Sequence, residues 1–359
     1  VPARAPVRFG WPALLALGAA AARAMIFLGT DDPAHNTTPP AGELAESGWQ
    51  WQGNWRGFAG TPVAPQWFLT ARHLGGSVGE EFHFAGRAWR TIARFDDEES
   101  DLALWQVCGE FPAYAPLYGD TNEVGQPCVL FGRGRARGAP VVVTNELGET
   151  QLRGWLWGGG AGTLRWGVNH IAALANYGGH PENALAGTFD AAGEPDEAML
   201  TGGDSGGGVF IRRDGRWELA GIALAVDGPF RFSADGEDIY AALFDKTGLF
   251  ERGDSGWALV EATEAPQPAA WYASRIAARR DWIETIIATH SNPADPPELQ
   301  MAADVAGPYT NVVAGVDPDA QTLRVPAPDG PAFFRLSACR PTRVRGITRE
   351  GGDLVIRYE

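Results

Sequence analysis

The sequence predicts a mostly β protein made of short strands, and three observations lead there. Its 47 glycines and 26 prolines, in 359 residues, place a turn signal about every ten residues, too often for long helices. Apolar residues gather in brief runs such as Trp67-Phe68-Leu69 and Leu102-Ala103-Leu104-Trp105, the length of buried strands. Only Tyr272 to His290 reads as a good helix. Ser274 can cap it, Ile276, Ile283, Ile286 and Ile287 lie near one face, and Asn292-Pro293 stops it.

Composition narrows the function. With 45% hydrophobic and 20% charged residues the chain is an ordinary globular protein, long enough for a large core and more than one domain. A formal charge of −15 argues against a nucleic-acid partner, because phosphate binding needs clustered positive charge. Lys246 is the only lysine, so nearly all positive charge is arginine; no functional reading follows from that bias. Arg4 and Arg8 precede an apolar run from Trp11 to Ala22, and Ala22-Arg23-Ala24 fits the small-residue pattern of a signal peptidase site. Residues 1–24 therefore read as a signal peptide, and the mature chain is expected to be secreted or periplasmic without a membrane span. Three cysteines cannot all pair within one chain; a Cys108–Cys128 bridge and simple apolar filler are both open, with Cys339 left over. They lack the spacing of a zinc site, so neither a metal nor a cofactor is expected.

Met25 to Ser47 reads as an extended, polar lead-in. Strand patterns start near Trp49, where Trp51, Trp55 and Phe58 interleave with polar residues, and Gly60-Thr61-Pro62 marks a turn. Trp67-Phe68-Leu69 then runs into Thr70-Ala71-Arg72-His73-Leu74. A histidine just after a buried strand, before the loop glycines Gly75 and Gly76, sits where a rigid scaffold can hold an imidazole at a cleft. His170 and His180 follow no such run, His83 alternates within a strand, and His35 and His290 lie in lead-in and helix-end contexts. Next comes an acidic run, Asp96-Asp97-Glu98-Glu99-Ser100-Asp101, most of which is expected to be solvated. Asp101 differs because Leu102-Ala103-Leu104-Trp105 follows at once, which places its carboxylate at the mouth of a buried strand.

After a weakly patterned link from Glu110 to Gly125, a second strand set includes Val129-Leu130-Phe131, Val141-Val142-Val143 and Trp155-Leu156-Trp157. It leads to Leu200-Thr201-Gly202-Gly203-Asp204-Ser205-Gly206-Gly207-Gly208-Val209-Phe210. Glycine lets a substrate backbone approach closely, so a serine crowded by glycines suits a site where amides face a reacting carbonyl. Gly253-Asp254-Ser255-Gly256 repeats the four letters without the further glycines, which favours a surface turn. From Pro297 onward, short alternating runs suggest a small β appendage.

A histidine after a buried strand, an aspartate before one and a serine in a glycine turn, in that order, resemble the trypsin-like (chymotrypsin-fold) serine proteases of the secreted bacterial type. The matching stretches are Leu69-Thr70-Ala71-Arg72-His73, Asp101-Leu102-Ala103-Leu104 and Gly203-Asp204-Ser205-Gly206-Gly207. Gly60-Thr61-Pro62-Val63-Ala64-Pro65, Trp217-Glu218-Leu219-Ala220-Gly221-Ile222 and Tyr272-Ala273-Ser274-Arg275-Ile276 match outside the triad. The resemblance implies an all-β fold of two six-stranded antiparallel barrels, over about 47–118 and 119–270, and a C-terminal helix over 272–290. The protease unit would span 25–291 and the small β-rich region 292–359. It also implies a catalytic triad of His73, Asp101 and Ser205, an oxyanion hole from the amides of Gly203 and Ser205, and a structural Asp204 paired with a buried α-amino group. The protein is then expected to be a monomer that hydrolyses peptide bonds in protein or peptide substrates.

Several positions depart from the family pattern. In place of the usual Ile-Val-Gly-Gly terminus the chain has Met25-Ile26-Phe27-Leu28-Gly29, so signal cleavage itself is expected to free a usable terminus near Met25. Leu74 replaces the cysteine after the histidine, and Leu224 stands where a serine commonly supports the aspartate, so Asp101 needs another donor. Met199 falls at the floor of the substrate-binding pocket, with Val226 and Ala270 on its walls. That set implies a preference for small or medium apolar side chains before the cleaved bond. The long stretch between Val226 and Ala270 is expected to be an inserted loop bordering the pocket. Two other readings remain: a catalytically weak or inactive protease-like binding protein, and an esterase of the α/β-hydrolase type, whose GxSxG pattern is also met.

Overall fold

A computed structural model describes residues 25–359 apart from 145–147, 161, 254–255, 291–296 and 340–341. The signal peptide expected over 1–24, and Ser255, lie outside the described residues. A two-residue strand, β1 (Ile26–Phe27), is followed by β2 (Gly53–Trp55), β3 (Phe58–Ala64), β4 (Trp67–Ala71), β5 (Glu81–Phe84), β6 (Arg87–Asp96) and β7 (Leu102–Val107). The last six close into a barrel in the order β2-β3-β4-β7-β6-β5. Strand β5 alternates exposed Glu81 and His83 with buried Phe82 and Phe84, so only one face turns inward. By contrast β4 and β7 are buried along their whole length, because one face fills the barrel and the other meets the rest of the molecule. Inside, Phe68 stacks on Phe82 with centroids 3.9 Å apart and Trp55 packs on Trp105 at 4.6 Å. Leu74 joins this core, so apolar packing occupies the place of the absent disulfide.

The other half supplies β8 (Pro127–Gly132), β9 (Arg137–Thr144), β10 (Thr150–Trp157), β11 (Arg165–His170), β12 (Ala173–Tyr177), β13 (His180–Thr188), β14 (Ala198–Met199), β15 (Gly208–Arg213) and β16 (Arg216–Val226). Then come β17 (Phe230–Arg231), β18 (Ala241–Leu243), β19 (Phe250–Gly253), β20 (Gly256–Leu259), β21 (Ala270–Arg275) and the helix α1 (Ile276–His290). The second barrel expected over 119–270 is replaced, among the described residues, by open sheets. Seven strands form one sheet in the order β11-β8-β15-β16-β21-β13-β12, and β9 and β10 leave it to pair with β18. Glycine makes the β10–β18 approach possible: a Cβ on Gly154 would lie 2.0 Å from the Ala242 carbonyl oxygen. The stretch after Val226 is therefore not merely a loop, since Phe230, Ala241, Ala242, Leu243 and Leu249 are core residues. The seven-stranded sheet is antiparallel throughout, which is incompatible with the parallel, helix-flanked sheet of an α/β-hydrolase.

Three more expectations need correction. Tyr272 to Arg275 are strand rather than helix, because β21 is held between β13 and β16; Ser274 is 1% exposed inside that sheet and caps nothing. Ile276 and Ile283 do face the core, as their spacing predicts. The start of the lead-in is extended but apolar and buried rather than polar: Ile26 pairs with Met199 and Phe27 with Ala198, and the Leu28 amide continues the contact to the Glu197 carbonyl at 2.9 Å. Finally, Cys108 bonds to Cys339, not to Cys128. Cys128 lies mid-sheet between Asn169 and Ile211 with its side chain buried, out of reach of a partner, whereas Cys108 follows the end of β7.

The disulfide ties the barrel to a C-terminal region of two small sheets. One holds β22 (Glu298–Ala302), β23 (Thr310–Val312) and β26 (Phe333–Ser337); the other holds β24 (Gly315–Asp317), β25 (Thr322–Pro326), β27 (Val344–Glu350) and β28 (Asp353–Tyr358). Leu299, Leu323, Val325 and Ile356 form its core. The bond is compatible with an oxidising compartment. No helix among the described residues is long and apolar enough to cross a membrane.

Candidate active site

Strand register brings the first two site residues together. Ala71 at the end of β4 pairs with Leu102 at the start of β7, and the next rung is made by the Arg72 amide donating to the Asp101 carbonyl at 2.7 Å. His73 follows in a single 3-10 turn, Arg72–Leu74. Its backbone N–H donates to Asp101 Oδ1 at 3.1 Å, and its ring Nδ1 lies 2.5 Å from Asp101 Oδ2. Both carboxylate oxygens are thus engaged by His73, the backbone amide being the extra donor that the leucine at position 224 calls for. With Nδ1–H directed at the carboxylate, Nε2 is left to accept from the Ser205 hydroxyl, 2.9 Å away. The Asp101 side chain is 2% exposed and that of His73 43% exposed: a buried carboxyl group fixes the ring, and the side toward Ser205 stays open.

Ser205 is presented by a turn that only glycines permit. A Cβ on Gly206 would lie 2.2 Å from the Ala59 carbonyl oxygen of the barrel, and one on Gly207 would lie 1.8 Å from the Phe131 carbonyl oxygen of the open sheet. The turn is therefore wedged between the two halves, and His73 and Ser205 meet across that seam. Gly203 has φ +105°. The amides of Gly203 and Ser205 have no hydrogen-bond partner among the described residues.

The Asp204 side chain takes no part in the line from Asp101 through His73 to Ser205. Its carboxylate, 1% exposed, accepts hydrogen bonds from the amides of Gly134 and Thr201, each at 2.7 Å, and from the Thr201 hydroxyl at 2.9 Å. These three donors are the hydrogen bonds its carboxylate accepts among the described residues. Gly132 and Gly134 make the cradle, since Cβ atoms on them would come within 2.1 and 2.5 Å of the carboxylate oxygens. Burial pushes the Asp204 pKa up to about 6, against the opposing hydrogen bonds from Gly134 and Thr201. Nearby, burial pushes Glu197 up to about 7, although the Asp190 amide binds it at 2.5 Å.

A pocket of about 190 Å³ opens beside Ser205, lined by Trp157, Leu200, Thr201, Gly202 and residues 223–226. Val226 is on its wall as expected, but Met199 and Ala270 are not among the lining residues. Met199 is fully buried because β14 is covered by β1, and Ala270 is turned into the ladder with Thr188, its amide bound to Asp227 at 2.9 Å. The residue that sequence reasoning missed is Trp157. Its ring comes so close to Gly202 that a Cβ there would be 2.8 Å away, and it stacks on Tyr240 with centroids 4.8 Å apart. Nothing in Trp155-Leu156-Trp157 marks one indole as a pocket wall, because the contact depends on Gly202 and Tyr240, which lie far away in sequence. Among the described residues no group of His, Cys, Asp and Glu side chains could hold a metal ion. No protein-family model matches the chain, and no curated protein matches it either.

Proposed function

We propose that this chain is a secreted or periplasmic serine endopeptidase of the trypsin-like kind, which cleaves peptide bonds through an acyl-enzyme on Ser205. The observation that carries this reading is the hydrogen-bonded line from Asp101 through His73 to Ser205, with spacings of 2.5 and 2.9 Å. It ends beside two unpartnered amides. In this reading neutral His73 takes the Ser205 proton as Oγ attacks the carbonyl carbon, and then gives it to the leaving amine. Asp101 holds the imidazole tautomer and stabilises the imidazolium. The tetrahedral oxyanion accepts from the Gly203 and Ser205 amides, where losing one such donor costs about 3 kcal/mol in other enzymes. Water then repeats the sequence on the acyl-enzyme. The small, mainly apolar pocket supports a preference for small or medium apolar side chains before the cleaved bond.

A fluorophosphonate probe tests the assignment, because it reacts only with an activated serine. Wild type and Ser255→Ala are expected to gain one covalent label and Ser205→Ala none. Absence of label on wild type, or its persistence in Ser205→Ala, overturns the proposal.

A further inference from the structure

Most of the acidic run before β7 is solvated, as its charge suggests, with Asp96, Glu98 and Glu99 exposed, but two further residues are not. Asp97 and Ser100 are each 1% exposed, alongside Asp101. A carboxylate at that depth needs hydrogen-bond donors or an opposite charge. Arg279 of α1 supplies it with a two-pronged grip: Nε lies 2.6 Å from Asp97 Oδ2 and Nη2 lies 2.7 Å from Oδ1. Its remaining Nη1 reaches Glu99. Ser100 Oγ donates to Asp97 at 2.5 Å and accepts the Leu102 amide at 3.3 Å, while the Asp97 amide donates to the Leu102 carbonyl at 3.0 Å. The Arg72 guanidinium, next in chain to His73, donates to the Asp97 carbonyl at 2.6 Å, and the Asn183 side chain holds the Glu99 carbonyl. Residues 97–101 thus form a closed strap whose last residue orients the imidazole.

We propose that Arg279 is a positioning residue for the His73–Asp101 pair. It acts through Asp97: by neutralising and gripping that buried carboxylate it keeps the strap in register, so that Asp101 makes both of its hydrogen bonds to His73. The C-terminal helix is thereby part of the site's geometry although it touches none of the reacting atoms. Misplacing a reacting group by an ångström costs about 10²-fold in rate, which sets the scale of the expected effect. The inference rests on the peptidase reading for its kinetic readout, but not for its spectroscopic one.

Arg279→Ala and Arg279→Lys test it. Expected for Arg279→Ala is a fall in kcat of about 10- to 100-fold per titrated site, with KM little changed, and loss or broadening of the far-downfield proton resonance of the short Nδ1–H···Oδ2 bond. Arg279→Lys keeps the charge but not the fork, so a smaller, several-fold fall is expected; it decides the matter if the alanine variant does not fold. Restoration of most of the rate by adding Asp97→Asn to Arg279→Ala supports the mechanism, since the unpaired buried charge is then gone. Unchanged kcat per site and an unchanged resonance in a folded Arg279 variant overturn the proposal, even if thermal stability has dropped. If wild type shows no peptidase activity the functional reading fails, while the resonance still judges the role of Arg279.

Discussion

Two buried carboxylates flank the His73–Ser205 pair, and they are stabilised in opposite ways. Asp97, in the strap behind Asp101, faces the full charge of Arg279. Asp204, behind Ser205, is held mainly by the neutral donors of Gly134 and Thr201. Both are about equally deep, and burial pushes the Asp204 pKa up to about 6. The strap behind Asp101 is thus tied by an ion pair between the barrel and the C-terminal helix. The turn that carries Ser205 is held by a carboxylate whose burial is answered by hydrogen bonds rather than by a paired charge. The same task, holding a loop that cannot hold itself, is solved once with charge and once with glycine-lined space.

The largest expected effect comes from Asp101→Asn, which keeps the shape of the strap end but cannot fix the Nδ1–H tautomer: kcat should fall by about 10⁴ with little change in stability. Steady-state kinetics beside thermal unfolding checks both halves of that statement. Gly132→Ala attacks the Asp204 side, where the new methyl would meet the carboxylate at 2.1 Å. A displaced turn misplaces the Gly203 and Ser205 amides, so kcat should fall by about 10²- to 10³-fold, more than for Arg279→Ala. An equal loss in the two variants would show that the sides are not held by different means. A smaller effect, roughly tenfold, is expected on selectivity from Val226→Gly, which widens the pocket and should raise kcat/KM for larger apolar side chains relative to alanine.

The pH dependence of stability separates the sides most gently. For Asp204 and Glu197 the folded pKa values, about 6 and about 7, lie above the ordinary carboxylate values. The folded state therefore binds protons more readily than the unfolded state. The destabilisation is fully present above about pH 7 and is relieved as pH falls toward about 4. In the Ser205→Ala background, which prevents self-cleavage, the Tm should rise by roughly several degrees between pH 8 and pH 5. Glu197→Gln should flatten the upper part of that rise. A Tm that falls steadily over this range would contradict the account.

What could be read in the sequence was local. Buried runs next to His73 and Asp101, and glycines around Ser205, carry their meaning in adjacent residues, and the structure does bring these three side chains together. The errors share one cause, which is dependence on remote neighbours. Ser274 looks like a cap until β13 and β16 are known to flank it. Cys108 finds its partner 231 residues away, and Asp97 finds Arg279 across 182 residues, so charge patterning alone did not single out Asp97 from its exposed neighbours. The open second half has the same origin, because β18, from what reads as an insertion, captures β10. The cradle of Asp204 is a further case, because Gly132 and Gly134 lie some seventy residues before the carboxylate they surround.

The central claim is that Ser205 forms the covalent intermediate. Rapid mixing with an activated ester of a short apolar peptide, followed by intact-mass and peptide-mapping analysis, tests it directly. The account predicts a burst of one leaving group per active site, an acyl adduct on Ser205, and neither in Ser205→Ala. A burst with the adduct on another residue such as Ser255, or turnover by Ser205→Ala at the wild-type rate, would contradict it.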